Sequence, residues 1–252
     1  MQTVQTAQPD GVPPLELTGE RTLPDVPAEN YWFRRHLAVY EWVADRCSGL
    51  RVVDMACGEG YGSDVLARRA REVTGIDANP DAYEHARLKY TRPGVRFVRD
   101  MIEAYDDPCD AIVFLQTIEH VADPEAVLRR FRALAPTVYV STPNLLTLAP
   151  PGAQKSDNPW HLREYRVEEF RALCEAAAER VELYGLFHAR RLRAHELALR
   201  AGWDRVHAAL GITRRFYDWF TPSIRASDFA LRRDGAASGR LERALDFVAV
   251  LQ

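Results

Sequence analysis

Leu50-Arg51-Val52-Val53-Asp54-Met55-Ala56-Cys57-Gly58-Glu59-Gly60-Tyr61-Gly62 is the stretch that decides the fold. A short apolar strand runs into a glycine-rich bend, and a helical pattern over 63–71 follows. The next apolar run, Val73-Thr74-Gly75-Ile76, ends in Asp77. Strand, glycine turn, helix, then a strand closed by a carboxylate is how an open parallel sheet holds a nucleoside. The glycines let backbone approach the ligand, and the carboxylate accepts hydrogen bonds from ribose hydroxyls.

Outward from this unit the alternation continues. Helical patterns at 80–90, 124–134 and 167–179 separate strand runs at 72–77, 95–98, 111–115, 137–141 and about 180–186. Asn79-Pro80 and Asp123-Pro124 supply cap-then-proline helix starts. The pattern predicts an α/β chain with right-handed βαβ crossovers and a doubly wound, Rossmann-like sheet. Before it, Asn30 to Arg46 reads as an amphipathic helix with Asn30 as N-cap and Trp32, Leu37, Tyr40 and Val43 on one stripe. Residues 1–16 are polar and proline-bearing and read as a disordered tail. The remainder, 17–252, reads as a single domain, and 188–240 as a helical insertion or lid before a last apolar run, Ala244 to Leu251. Asp234 to Gly239 reads as a short flexible stretch.

Composition narrows the class. With 47% hydrophobic and 27% charged residues, the 252-residue chain is ordinary for a globular protein. A net charge of −3 argues against a duplex nucleic-acid partner. No apolar run approaches a membrane span of roughly 18 residues. Cys47, Cys57, Cys109 and Cys174 are scattered with no C-x-x-C pair, as expected for free thiols in the cytoplasm. Lys89 and Lys155 are the only lysines, which suits a GC-rich, actinobacterial coding sequence.

Two ligands compete for the glycine loop. A dinucleotide site requires G-x-G-x-x-G/A and a pyrophosphate at the helix N-terminus. Here the run is Gly58-x-Gly60-x-Gly62-Ser63, with Asp54 four positions before the first glycine. A carboxylate there would repel pyrophosphate but suits an ammonium and a sulfonium, both carried by S-adenosylmethionine. The loop resembles the acidic-x-G-x-G-x-G loop of class I methyltransferases, with Ala56 in place of the first glycine. That resemblance implies a seven-stranded, mostly parallel sheet whose antiparallel last strand inserts between the fifth and sixth. It also implies cofactor contacts from Asp54, Ala56, Gly58, Gly60, Asp77 and Ala78. Further contacts are expected from Asp100 to the adenine amino group, with Met101 and Ile102 on the ring, and from Gln116.

The carboxyl ends of the fourth and fifth strands carry the remaining candidates. Gln116-Thr117-Ile118-Glu119-His120-Val121 and Ser141-Thr142-Pro143-Asn144 both face the crevice of such a sheet, and Asn158-Pro159-Trp160-His161-Leu162-Arg163-Glu164-Tyr165 can reach over it. Methyl transfer to oxygen needs a nucleophile in line and removal of its proton, for which His120 is a candidate base. Together these stretches resemble the type 11 branch of class I methyltransferases, which includes ubiquinone-pathway and small-RNA terminal O-methyltransferases. In that branch an acidic-x-x-Glu-His stretch and a downstream His bind a divalent metal. The resemblance implies Glu119, His120 and His161 as catalytic and metal-binding residues toward Mg²⁺ or Mn²⁺, with Gln116 replacing the first carboxylate.

Leu17 to Pro24, Glu29 to His36, Gly185 to His188 and Arg190 to Arg193 resemble an actinobacterial group associated with methylglucose lipopolysaccharide biosynthesis. The implied acceptor is a saccharide or glycolipid hydroxyl, and Tyr31, Arg34 and His36 are candidates to close over the cofactor. The aromatics at 216–220 read as the insertion's own small core or a homodimer contact. The expected activity is S-adenosylmethionine-dependent O-methylation of a small molecule or oligosaccharide. Its rivals are natural-product, quinone or RNA methylation, a non-catalytic cofactor-binding subunit, and an NAD oxidoreductase.

Overall fold

The computed structural model describes residues 4–5, 8–150, 152–235 and 240–252. Its strands are β1 (Arg51–Met55), β2 (Glu72–Asp77), β3 (Val95–Arg99), β4 (Ala111–Leu115), β5 (Thr137–Pro143), β6 (Val181–His188), β7 (Phe229–Arg233) and β8 (Asp246–Leu251). They form one sheet in the order β3-β2-β1-β4-β5-β8-β6-β7. Pairing is parallel from β3 through β5, and β8 runs antiparallel to both β5 and β6. The last strand therefore sits between the fifth and sixth, as the sequence reading expects. β4 and β8 are buried along their whole lengths because helices cover both faces, which is why 111–115 and 247–251 read as unbroken apolar runs.

The helices are α1 (Asn30–Ala44), α2 (Tyr61–Leu66), α3 (Pro80–Lys89), α4 (Pro124–Leu134), α5 (Leu145–Leu148), α6 (Val167–Glu175), α7 (Arg190–Arg200), α8 (Trp203–Ala209) and α9 (Thr213–Phe220). Successive strand residues point to opposite faces. Val52 accordingly packs under α1 and α2 with Val43 and Val65, whereas Val53 joins Phe114, Phe131 and Phe170 on the other face. Among the described residues no helix is long and apolar enough to cross a membrane.

Several expectations need correction. The sheet has eight strands, not seven. β7 arises inside the segment read as helical and pairs antiparallel with β6, from Tyr184↔Arg233 to His188↔Phe229. One side of β6 is taken by β8, and the short β7 covers the edge left open. Helix α2 ends at Leu66 instead of Arg71, because the chain must turn back for β2, and the Arg71 amide already donates to Leu50 O. Asn30 is not an N-cap. It lies inside α1, and its Nδ2 donates to Thr221 O (2.8 Å) and Ile224 O (3.1 Å), tying the insertion to the domain.

The described part of residues 1–16 is docked. The Gln5 amide donates to Leu15 O, its side chain to Pro24 O (3.0 Å), and Val12 and Leu15 are buried. Residues 1–3, 6 and 7, and 236–239 of the stretch read as flexible, lie outside the described residues. In the insertion, Phe216 stacks with His195, His207 and Phe220 at 5.6, 5.9 and 5.3 Å between ring centroids, making a small aromatic core.

Candidate active site

β1 leads through α2 to one neighbour and β4 through α4 to the other, so the sheet's switch point lies between them, where open α/β sheets bind ligands. Two non-glycine residues adopt left-handed backbone there: Ala56 after β1 (φ 55°) and Gln116 after β4 (φ 53°). Such conformations cost about 1–2 kcal/mol each and gather at functional sites. Both line a cavity of about 170 Å³ whose walls also include Gly58, Asp77, His36 and Ser141. An outer cavity of about 770 Å³ shares His36, Gln116 and His120 with it and extends over Glu119 and His161.

The glycine loop is held from below. Asp54 is fully buried and accepts from Ser63 Oγ (2.7 Å) and Tyr40 Oη (3.1 Å). Burial pushes its pKa to about 7, although both hydroxyls oppose the shift. Asp54 therefore anchors the loop and does not line the cavity. Tyr40 reaches it across Gly62, where an added Cβ would lie 2.2 Å from the Tyr40 ring. Gly58 (φ 56°) is different: a Cβ there would meet no protein atom nearer than 3.9 Å, so its freedom serves approach from the cavity.

Asp77 closes β2 at the cavity wall. Its Oδ2 accepts from the Gly58 amide (2.8 Å) and its Oδ1 from the Asn79 amide (2.9 Å), leaving further lone pairs for vicinal hydroxyls. Burial raises its pKa and these amides oppose the rise. Glu59, which sequence reasoning missed, is buried inside the loop. It accepts from His85 Nε2 (2.9 Å), Lys89 Nζ (2.7 Å) and Tyr90 Oη (2.7 Å), locking α3 to the loop. Only its place between two glycines marked it.

The N-terminal segment roofs the cavity, which is smaller than the roughly 300–1,000 Å³ usual for ligand sites. Thr22 Oγ1 lies 3.1 Å from Tyr61 Oη and 3.3 Å from His36 Nδ1. Burial holds the His36 pKa at about 4, so the ring is neutral. Other candidates lie elsewhere. Tyr31 Oη bonds His188 Nε2 (2.8 Å), and Arg34 Nε donates to Asn30 Oδ1 (3.1 Å); neither lines the inner or the outer cavity. Their neighbour Arg35 is the buried cation, paired with Asp246. Ala78, Asp100 and Met101 are exposed and Ile102 half-buried, outside the inner cavity's walls, although the Asp100 amide donates to Asp77 O.

Glu119, His120 and His161 do converge. One ligand atom from each lies within 4.8 Å of the others, and the two imidazole centroids are 5.0 Å apart. The Glu119 carbonyl accepts the Leu162 and Arg163 amides, which brings the 158–165 loop over the end of β4. His120 Nδ1 donates to Trp160 O (2.9 Å), and His161 Nδ1 donates to Glu164 Oε1 (2.6 Å). Each ring thus carries its proton on Nδ1 and keeps Nε2 as a lone-pair donor. Asn158 Nδ2 lies 3.1 Å from His161 Nε2. Burial lowers the His120 pKa and raises that of Glu119, which accepts from Thr142 Oγ1 (3.1 Å), to about 8. Burial works against Glu164, yet hydrogen bonds from Ser156 and His161 hold it below the usual carboxylate range.

A methyltransferase domain model matches residues 28–206. The chain is 38% identical over 255 residues to a probable S-adenosylmethionine-dependent methyltransferase of Mycolicibacterium smegmatis, covering 96% of this chain and 97% of that one. It is 34% identical over 116 residues to the ubiquinone biosynthesis O-methyltransferase of Aeromonas salmonicida, 41% of this chain and 49% of that one. The magnesium protoporphyrin IX methyltransferase of Synechocystis with bound S-adenosylhomocysteine superposes with a TM-score of 0.51 at 19% identity, over 68% of this chain and 84% of that one, a likeness of fold. Sheet order, glycine loop and crevice are those of a Rossmann-like class I methyltransferase. The chain belongs to the methyltransferase domain family and is an S-adenosylmethionine-dependent methyltransferase.

Proposed function

We propose that this methyltransferase acts on oxygen, and that its acceptor is a hydroxyl of a saccharide or glycolipid precursor. The observation carrying the reading is the Glu119, His120 and His161 cluster, set in the outer cavity and joined to the cofactor crevice through His120 and Gln116. Gly58 and Asp77 hold the nucleoside, while Ala56, Gln116 and His36 flank the methionine side. Gly60, read as a cofactor contact, packs instead against Ala86 of α3, where an added Cβ would lie 2.7 Å away. When bound, S-adenosylmethionine supplies a methyl group on a sulfonium.

The donor set fits a divalent cation. Two imidazoles whose Nδ1 atoms are engaged elsewhere offer Nε2, the Glu119 carboxyl completes three ligands, and Glu164 braces His161 from behind, as carboxylates brace metal-ligating histidines. A cation such as Mg²⁺ or Mn²⁺ there would polarise the acceptor hydroxyl and favour its deprotonation. His120 is then the group nearest the cofactor crevice, and its Nε2 lone pair can take the hydroxyl proton where no cation engages it.

Mass spectrometry of reactions fed S-adenosylmethionine over a panel of neutral oligosaccharides tests the acceptor: a methyl increment that survives mild base supports the ether. A quinone-type phenol is the second reading, favoured by the partial likeness to the ubiquinone enzyme. Methylation of catechols with no saccharide modified would replace the first reading by the second.

A further inference from the structure

A third cavity, of about 1050 Å³, lies across the short helix α5 from the acceptor cavity. Leu146 and Thr147 of α5 face it, whereas Leu148 and Ala149 line the acceptor side. Asn144 fixes this arrangement: its Oδ1 accepts from the Leu146 amide, and its Nδ2 donates to Glu242 O (3.0 Å) and Ala244 O (2.7 Å). The turn bearing Arg240 and Arg243 is thereby held beside α5.

The lining is strongly cationic in a chain whose net charge is −3. Arg193 and Arg200 project from one face of α7, Arg232 comes from β7, and Arg240 and Arg243 from the turn before β8. Against these five stand Glu196 and Glu242. Glu196 is already engaged by Arg200 (2.5 Å) and His188 (3.2 Å). The guanidinium groups of Arg193, Arg240 and Arg243 have no hydrogen-bond or ion-pair partner among the described residues. Like charges gathered without partners repel, and an anion between them relieves that repulsion. Planar guanidinium forks match phosphoryl oxygens in particular. Phe187, Leu197 and Leu245 supply an apolar wall against which a sugar face can lie.

We propose that this groove binds a phosphoryl or pyrophosphoryl group of the acceptor, so that the saccharide is methylated as a phosphorylated or nucleotide-activated form. The inference deepens the saccharide reading and rests on it. Inorganic pyrophosphate is the probe, titrated calorimetrically into the full-length protein and into an Arg193→Gln/Arg243→Gln variant, with S-adenosylhomocysteine titrated into both. Wild type binds pyrophosphate and the variant binds it at least about tenfold more weakly, while the thioether's affinity stays within about twofold. Glucose 1-phosphate displaces the probe and glucose does not.

Absence of pyrophosphate binding at low salt, or equal binding by both proteins, overturns the proposal. Phosphatidic acid in phosphatidylcholine vesicles tests the other source of phosphate. Vesicle binding that depends on Arg193 and Arg243, with no displacement by glucose 1-phosphate, assigns the groove to a membrane surface and also overturns it. Methylation of neutral oligosaccharides without pyrophosphate binding sinks this inference alone. Pyrophosphate binding with no saccharide methylated sinks the acceptor reading and leaves an anion site.

Discussion

His161 donates its Nδ1 proton to Glu164 Oε1 across 2.6 Å, and this contact fixes which nitrogen faces Glu119 and His120. Glu164 is fastened in turn by the Ser156 amide at 2.8 Å and by the Ser156 hydroxyl. A three-residue spacing within one loop thus sets the orientation of a ring that must meet a strand end more than forty positions earlier.

For the cation proposed at Glu119, His120 and His161, Glu164→Gln is expected to weaken manganese binding by about ten- to a hundredfold, as loss of a carboxylate behind a metal-bound histidine does. His161→Ala should remove binding further. Equilibrium dialysis of both variants checks this. If chelated, metal-free wild type methylates at the full rate, the cation has no part in the reaction.

Asp54 governs part of the pH dependence of stability. Its folded pKa, about 7, lies above the ordinary value of 3.8, so the folded state holds this proton more tightly than the unfolded chain. Its contribution is intact below about pH 4 and is lost as pH rises through about 7, a loss on the order of a few kcal/mol. His36 slopes the other way: with its pKa lowered to about 4, stability is lost as pH falls from 6.5 toward 4. Asp54→Asn keeps partners for Ser63 and Tyr40 without a charge. The stability difference between variant and wild type should grow in the variant's favour from pH 4 to 7 and then level off. Thermal denaturation across that range reads it, and a difference independent of pH would refute it.

Arg35 and Asp246 form a buried bidentate pair, Nε to Oδ2 at 2.7 Å and Nη2 to Oδ1 at 2.5 Å, joining α1 to the start of β8. Arg35→Leu strands a fully buried carboxylate and should cost about 3–5 kcal/mol in urea unfolding. Removing both charges, with Asp246→Leu added, should recover most of that loss. A double variant no more stable than the single one would contradict this account.

Gly58 and Gly62 should fail in different ways. Gly62→Ala places a methyl 2.2 Å from the Tyr40 ring and should unfold or strongly destabilise the protein. Gly58→Ala meets only backbone strain, about 1–2 kcal/mol, but puts the methyl on the cavity side. It should fold and bind S-adenosylhomocysteine poorly, as calorimetry beside thermal unfolding would show. Normal binding by Gly58→Ala would remove that backbone from the cofactor site.

The order of strands and crossover helices was legible from hydrophobic runs and turn residues, because each element's pattern is local. So were Gly58, Asp77 and the Glu119-His120 and His161 stretches, which lie at strand ends or in a loop of recognisable chemistry. Tyr31 and Arg34 were misplaced because a helix's inward face depends on what packs against it, and α1 turns Arg35 toward Asp246. Strand β7 was hidden because five residues carry too little periodicity to compete with a helical surround.

Local sequence by itself determined a parallel α/β sheet with a glycine loop and a carboxylate at the end of the second strand, since propensity and periodicity act over a few residues. Tertiary structure alone decided that Asp54 anchors the loop from below, that Glu59 locks α3 to it, and that Arg35 turns inward to Asp246. Those outcomes depend on burial and on partners distant in the chain, and neither is written in any one stretch of it.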